Sequence, residues 1–362
     1  MTVLGVAGCS ALLVTGFGIS DSINDILDVQ FKDISNTSGF LYLTSSACEP
    51  EARKEVIRKI KQLNDTKEVF SSLTYNGKVL NSAGYDEVAY VEIFRNNDAL
   101  KDVFNVRERK SKKPLYLETG SVIISEKMAE NLGLHVGDTI QVDSYDGIRK
   151  EVPISGIMEM YVYHYVLMDA ETYRGLYGTL PNDNTLYPVL KDGVDLSSDY
   201  VSSVAAIDGV ESVTFNDSVA NNFNQMIGGI DGVVLVLILS SMALAFVVLG
   251  NLTNVNISER LREIATLKVL GFRQKEVQNY IYKENNVLVA AGAAVGLPMG
   301  MILHRYVMQE VELSNVMFGR SERTLTFVYA FVLTVLFGLL VNFFMRRKLD
   351  KILMVESLKS VE

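Results

Sequence analysis

Apolar and polar positions fall into two regimes along this chain. Four stretches hold no Asp, Glu, Lys or Arg over membrane-spanning length: Met1–Ser20, Gly232–Ser258, Asn285–Leu303 and Thr324–Met345, of 20, 27, 19 and 22 residues. A spanning helix needs about 20 mostly apolar residues to cross about 30 Å of hydrocarbon. Elsewhere the longest uncharged run, Ile34–Cys48, has 15 residues and is broken by Ser, Asn, Thr and Gly. GVVLVLILSSMALAFVVLG (Gly232–Gly250) and the run LTFVYAFVLTVLFGLLVNFFM before Arg346-Arg347-Lys348 are apolar all round, which a helix buried in a soluble core seldom sustains. The third stretch is dominated by Gly and Ala. The first has the look of a signal-peptide core but lacks a basic leader.

Between the first two stretches the pattern alternates strand and helix. Gly39–Thr44 reads as a strand, and Pro50–Leu63 as a helix with Val56, Ile57, Ile60 and Leu63 at helical spacing. Val88–Phe94 alternates again. Tyr200–Ile207 and Val210–Phe215 repeat helix then strand, so an α/β subdomain in two chain-separated halves is predicted. A β-rich region lies between them. There Ser125 is placed as the cap of a short helix stopped by Gly133, and Gly137-Asp138 and Asp146-Gly147 mark turns. The aromatic run Met160–Val166 reads as a half-buried strand. Asp217–Ile230, capped by Asp217 or Ser218, reads as a helix feeding straight into the second span, a stiff stalk.

Composition adds exclusions. The 362 residues are 48% apolar and 21% charged, with two Cys and no Trp. Such averages exclude a disordered, collagen-like or disulfide-scaffold chain. The net charge of -9 argues against a nucleic-acid binder. That charge is unevenly spread: Asp21–Asp231 carries 20 Lys and Arg against 33 Asp and Glu, and the remainder of the chain is net positive. Arg260, Arg262, Lys268, Arg273, Lys275 and Lys283 crowd the link after the second span, and Arg346, Arg347, Lys348, Lys351 and Lys359 the tail. Basic loops stay inside, so both are cytoplasmic and the acidic segment is outside.

Catalytic chemistry is not legible. The three His (His135, His164, His304) form no HExxH or other metal spacing, and no GxSxG or Walker A phosphate loop occurs. No cofactor is expected. Cys9 lies in the first span and Cys48 outside it, so no disulfide joins them.

Two patterns carry more. Gly292, Gly296 and Gly300 recur every four residues and share a helix face, which lets another helix approach closely, either within the monomer or on a partner subunit. Pro298 should kink this span. Asn256–Glu284 reads as a helical elbow: Ser258 caps a helix starting at Glu259, Gly271 stops it, Phe272 turns the chain, and Arg273–Glu284 rises into the third span. Such an elbow can lie in lipid headgroups or dock a cytoplasmic protein.

The run EIATLKVLGF (Glu263–Phe272), placed just after a span, resembles the signature of the FtsX-like permease family of ABC transporters. The four-span layout, the large segment after the first span and the closing VESLKSVE are similar too, and SEKMAENLGLHVGDTI resembles the MacB-type extracytoplasmic domain. The resemblance implies a membrane α-helical unit of four transmembrane helices plus a mixed α/β extracytoplasmic domain with two subdomains. The implied division is 1–20, first span; 21–231, outer domain; 232–255, second span; 256–284, coupling elbow; 285–305, third span; 306–323, extracytoplasmic loop; 324–345, fourth span; 346–362, cytoplasmic tail. It further implies a multi-pass permease subunit of a bacterial type VII ABC transporter that passes motion from a separate cytoplasmic ATPase to the outer domain. Glu263, Leu267, Lys268, Leu270, Gly271 and Phe272 would couple the two. A membrane-anchored sensor or adaptor, whose outer domain binds a peptide or a cell-wall enzyme without transport, is the alternative. Family members begin with a basic amphipathic segment. This chain begins inside its span, so a C-terminal fragment or half of a longer permease is expected, the second half being either that missing region or another copy.

Overall fold

The computed structural model describes residues 2–350 apart from 192, 193, 195, 228, 260–262, 264, 265, 268, 269, 271 and 320–322. In chain order its elements begin with α1 (Thr2–Asp28), a π-helical turn at Val29–Ile34, β1 (Gly39–Leu43), α2 (Pro50–Lys61), β2 (Thr66–Leu80), β3 (Asp86–Phe94) and α3 (Asn97–Val103). Next come β4 (Val122–Ser125), α4 (Glu126–Leu132), β5 (Thr139–Asp143), β6 (Arg149–Met158), β7 (Tyr165–Asp169), α5 (Ala170–Tyr177), β8 (Thr185–Leu190), α6 (Ser198–Ala205) and β9 (Val210–Phe215). The chain closes with α7 (Asn216–Ile227), α8 (Gly229–Glu259), α9 (Gln274–Val311) and α10 (Thr324–Asp350).

It divides into two compact units. The helical unit takes Met1–Asn24, Ile227–Val311 and Arg320–Glu362; the mixed unit takes Asp25–Met226 and Glu312–Gly319. Four helices are long and apolar enough to cross a membrane, within Val3–Ile34, Gly232–Asn251, Asn285–Val311 and Thr324–Phe343. Their shared core holds Val6, Leu13, Val14, Ala245, Leu249, Val289, Ala330, Phe337 and Val341. Outward faces keep large apolar residues such as Val236, Phe246, Ile302 and Phe343 exposed, as a helix facing lipid requires.

The mixed unit is built on nine strands, ordered β3-β7-β4-β6-β5-β2-β8-β1-β9, with an extra β2–β3 pairing. That pairing returns the first six strands to their start, so they close a ring and remove its free edges. Its interior is packed by Leu73, Val91, Ile93, Ile124, Ile140, Val142, Ile154 and Val166, sealed by Met128 of α4 and Tyr173 of α5. The 15-residue β2 serves two partners: Leu73–Leu80 pairs with β3, and Thr66–Ser72 pairs with β8. On the β8 side, β1 and β9 pair antiparallel, so the two chain-separated halves meet there. Val56, Ile60, Tyr200 and Val204 of α2 and α6 cover Leu41, Leu186 and Phe215 in a second core.

Several sequence expectations are corrected. β3 belongs to the ring, not to the half that begins with β1. The run Met160–Val166 enters a strand only at Tyr165, because Tyr163 holds φ 64°, which ends extended structure. Ser125 stands at the start of α4, but its hydroxyl accepts the Tyr165 amide (3.2 Å) in place of a cap bond. Asp217 and Ser218 lie inside α7, which begins at Asn216. α8 runs through Ser258 to Glu259, so no helix starts at Glu259. α1 continues past Ser20 to Asp28, because the end of an uncharged run marks lipid depth and not a helix stop. The expected continuity of α7 with α8 turns on residue 228, outside the described residues. α9 is helical through Pro298.

Candidate functional site

The elbow after α8 is the first candidate. Glu263 is helical and exposed, and Leu267 is helical and half-buried. The Leu270 amide donates to Thr266 O (3.0 Å) and the Phe272 amide to Leu267 O (3.1 Å). The second bond reaches back five residues. Lys268 and Gly271 lie outside the described residues. Leu270 and Phe272 stand 69% and 50% exposed. The next helix is capped from within: the Arg273 amide donates to Glu276 Oε2 (2.8 Å) while the Glu276 amide donates to Arg273 O (2.9 Å). A short turn thus presents two large apolar side chains between capped helix ends.

The glycine face of α9 is the second. A Cβ at Gly292 would meet Val6 Cβ at 2.7 Å, one at Gly296 would meet Ala7 O and Ser10 Cβ at 2.5 Å, and one at Gly300 would meet Val14 Cβ at 2.5 Å. The neighbour on this face is α1 of the same chain. Polar bonds follow the seam: Ser10 Oγ donates to Ala293 O (3.0 Å), Thr15 Oγ1 to Gly300 O (3.5 Å), and Ser22 Oγ lies 3.1 Å from His304 Nε2. Ser241 Oγ of α8 donates to Cys9 O (2.8 Å), and Asn285 Nδ2 of α9 to Asn342 Oδ1 of α10 (2.8 Å). In hydrocarbon such bonds hold helices together where the hydrophobic effect does not.

Two features of the mixed unit had no clear signal in the sequence. Residues Glu312–Gly319, expected as part of a loop, pack on this unit. Val316 bridges Val162, the Tyr163 amide donates to Asn315 O (2.9 Å), and the Met317 amide to Tyr161 O (2.8 Å). Lys127 Nζ reaches Glu312 Oε2 at 2.9 Å with both side chains nearly buried. Glu159 is the second. Its side chain is fully buried and takes Arg107 (2.7 Å), Lys112 (2.8 Å) and the Tyr161 hydroxyl (2.8 Å). Burial raises its pKa, but the bonds from Lys112, Arg107 and Tyr161 outweigh it and leave the carboxyl below the usual range. Among the described residues no group of three or more His, Cys, Asp or Glu could hold a metal ion.

Comparisons with known proteins give two family matches. The FtsX-like permease C-terminal family matches residues 235–350, and the MacB-like periplasmic core domain family matches residues 1–199. Among solved structures, the periplasmic region of MacB from Actinobacillus actinomycetemcomitans is similar at 8% identity and TM-score 0.32, covering 54% of this chain and 95% of its own. The extracellular domain of the ABC-type transporter YknZ from Gram-positive bacteria is similar at 17% identity and TM-score 0.31, covering 53% of this chain and 95% of its own. No curated protein matches.

Proposed function

The chain belongs to the FtsX-like permease family of ABC transporters, with a MacB-like domain outside the cytoplasm, and we propose on that basis that it transmits motion from a separate ATPase subunit to its outer domain. It is a multi-pass membrane protein. ATP hydrolysis would reside on the partner, and this chain would be the non-catalytic half of the machine, of the type VII class. A second permease half, as another copy or a further region of a longer chain, would complete the pair, and membrane lipid would surround the four spans.

The observation that carries this reading is the exposure of Leu270 and Phe272 on a turn held by backbone bonds between two helices. Exposed apolar side chains on a rigid turn are the usual anchors of a docking surface. Glu263, Leu267, Lys268, Leu270, Gly271 and Phe272 would form the coupling contact on the cytoplasmic side. Gly292, Gly296 and Gly300 would keep α9 and α1 moving together. The sensor or adaptor reading has no separate observation in its favour.

The test is co-purification with a cytoplasmic ABC ATPase expressed together with this chain, and the rate of that ATPase in nanodiscs. Leu270→Asp and Leu267→Asp are expected to reduce ATPase association at least about tenfold, since burying a charge in an apolar contact costs more than about 1.4 kcal/mol. The outer unit should keep its unfolding temperature. Unchanged association and unchanged ATPase stimulation in both variants would remove the elbow as the docking site.

A further inference from the structure

A cavity of about 240 Å³ opens in the mixed unit, walled largely by aromatic rings. Five tyrosines line it, Tyr42, Tyr90, Tyr163, Tyr165 and Tyr187, together with Phe104 and other residues, and no Asp, Glu, Lys or Arg is among its lining. The rings brace one another. Tyr90 meets Tyr163 edge-on at 5.5 Å and Tyr165 at 5.5 Å, and Phe104 meets Tyr165 at 5.9 Å and Tyr187 at 6.0 Å. Rings locked in this way cost little further entropy when they receive a ligand.

Under this aromatic layer sits one carboxylate. Glu92 shares a face of β3 with Tyr90, since side chains alternate along a strand. It is 1% exposed. The Tyr187 hydroxyl donates to it at 2.6 Å, Ser72 at 2.8 Å and Thr74 at 2.9 Å. Among the described residues no Lys, Arg or His pairs with it. Buried carboxylates are ordinarily paired with a cation. Glu159 in the same unit takes two, whereas Glu92, like the buried Asp169, is held by neutral donors alone.

A third observation is independent. Tyr163, at the cavity wall, holds φ 64°, a backbone region that a bulky aromatic residue rarely occupies. Local strain of this kind is kept where the surrounding structure needs a side chain at one place.

We propose that this cavity binds a small organic cation, an alkylammonium group, held against the tyrosine faces with Glu92 beneath as its counter-charge. Ring faces carry negative potential and attract ammonium groups within about 6 Å of the centroid. The lining offers no cationic side chain for an anion. The acidic balance of this part of the chain draws cations toward it.

Burial pushes Glu92 up to about 7, only partly offset by the hydroxyls of Tyr187, Ser72 and Thr74. The other titratable groups that interact with it are the hydroxyls of Tyr42, Tyr90 and Tyr165. These and Tyr187 are held above the usual phenol range by burial first, and then by neighbouring groups that include Glu92. None of the four loses its proton near neutrality. Glu92 is therefore the group that turns negative as pH rises through about 7, and a bound cation favours that form.

The test uses full-length protein in detergent or nanodiscs and two probes, choline and its uncharged carbon isostere dimethylbutanol. Titration calorimetry is the main readout. Tyrosine fluorescence is the second, undisturbed because the chain has no Trp. Choline should bind at least about tenfold tighter than the isostere, and tighter at pH 8 than at pH 6. Glu92→Gln should abolish the pH preference and reduce the preference for choline, without lowering the unfolding temperature. Tyr163→Asn, which tolerates the left-handed backbone, should weaken choline at least about threefold. Equal binding of the two probes, no binding of either, or choline binding unchanged by Glu92→Gln would overturn the proposal. No ATPase is needed, so failure here leaves the coupling proposal standing.

Discussion

Glu92 and Glu159 are both buried glutamates of the same unit, and their surroundings drive them in opposite directions. Glu92 is raised, so its protonated form is favoured in the folded chain. Its contribution to stability is fully present below the ordinary glutamate value and lost as pH rises through about 7. Glu159 is lowered by Lys112, Arg107 and Tyr161 against the pull of burial, so its contribution is present above the ordinary value and lost as pH falls through the folded one. Thermal unfolding between pH 4 and pH 8 separates them. Glu92→Gln should gain stability relative to wild type as pH rises, whereas Glu159→Gln should lose it. For Glu159 the loss at pH 8 should stay below the roughly 3–5 kcal/mol of a fully buried pair, because Lys112 reaches solvent. Parallel slopes in the two variants would contradict both assignments. At this scale the sequence was mute. GIMEMYVYHY and VEIF show two carboxylates among apolar residues, but Arg107 and Lys112 lie about fifty residues before the one they neutralise.

Among the elements, the membrane helices were largely legible and the strands less so. Uncharged length marks a span whatever it packs on, so four spans could be read directly. The four-residue glycine spacing of α9 was equally plain. Its neighbour was not, because the facing residues of α1 mix Val6 and Val14 with the small Ala7, Ser10 and Ala11. Gly296→Val should disrupt this seam by more than about 3 kcal/mol, since the added atoms meet backbone as well as side chain and α1 cannot yield locally. Gly8→Ala on α1, where a Cβ meets nothing within 4 Å, should be neutral or mildly stabilising. Detergent-solubilised thermal stability of the two variants is the comparison, and equal stability would mean the seam is loose. β2 escaped detection for a physical reason. Its alternation is broken where Ser72 and Thr74 are buried to serve Glu92, and again at Gly77, where a Cβ would meet Val91 at 2.8 Å.

For the whole molecule, the outline of four spans and a mixed domain could be read, while the way the chain shares itself between its two units could not. Segment 312–319 has no periodicity, and its partners at Tyr161–Tyr163 lie about 150 residues earlier. Contacts of that separation leave no local trace. The Lys127–Glu312 pair should matter most there. Side chains 10% and 4% exposed place it in low dielectric, so Lys127→Met should destabilise the mixed unit by about 3 kcal/mol, and a double replacement with Glu312→Leu should recover much of the loss. A double-mutant cycle on unfolding temperature checks this, and simple additivity would show that the pair contributes little.

Segment Glu312–Gly319 also sets a timetable. Residues 25–226 leave the ribosome first, yet the piece that covers Val162 and satisfies the Tyr163 amide is made only after α8 and α9. Until then the partners of Val316, Met317 and Phe318, which end up buried, have no cover. The outer unit therefore matures only after the third span has been threaded and its far end delivered outside. Correct insertion becomes a condition of correct folding. A nascent chain halted before residue 312 should be open to protease around Tyr163, and one halted after α10 has entered the membrane should be closed.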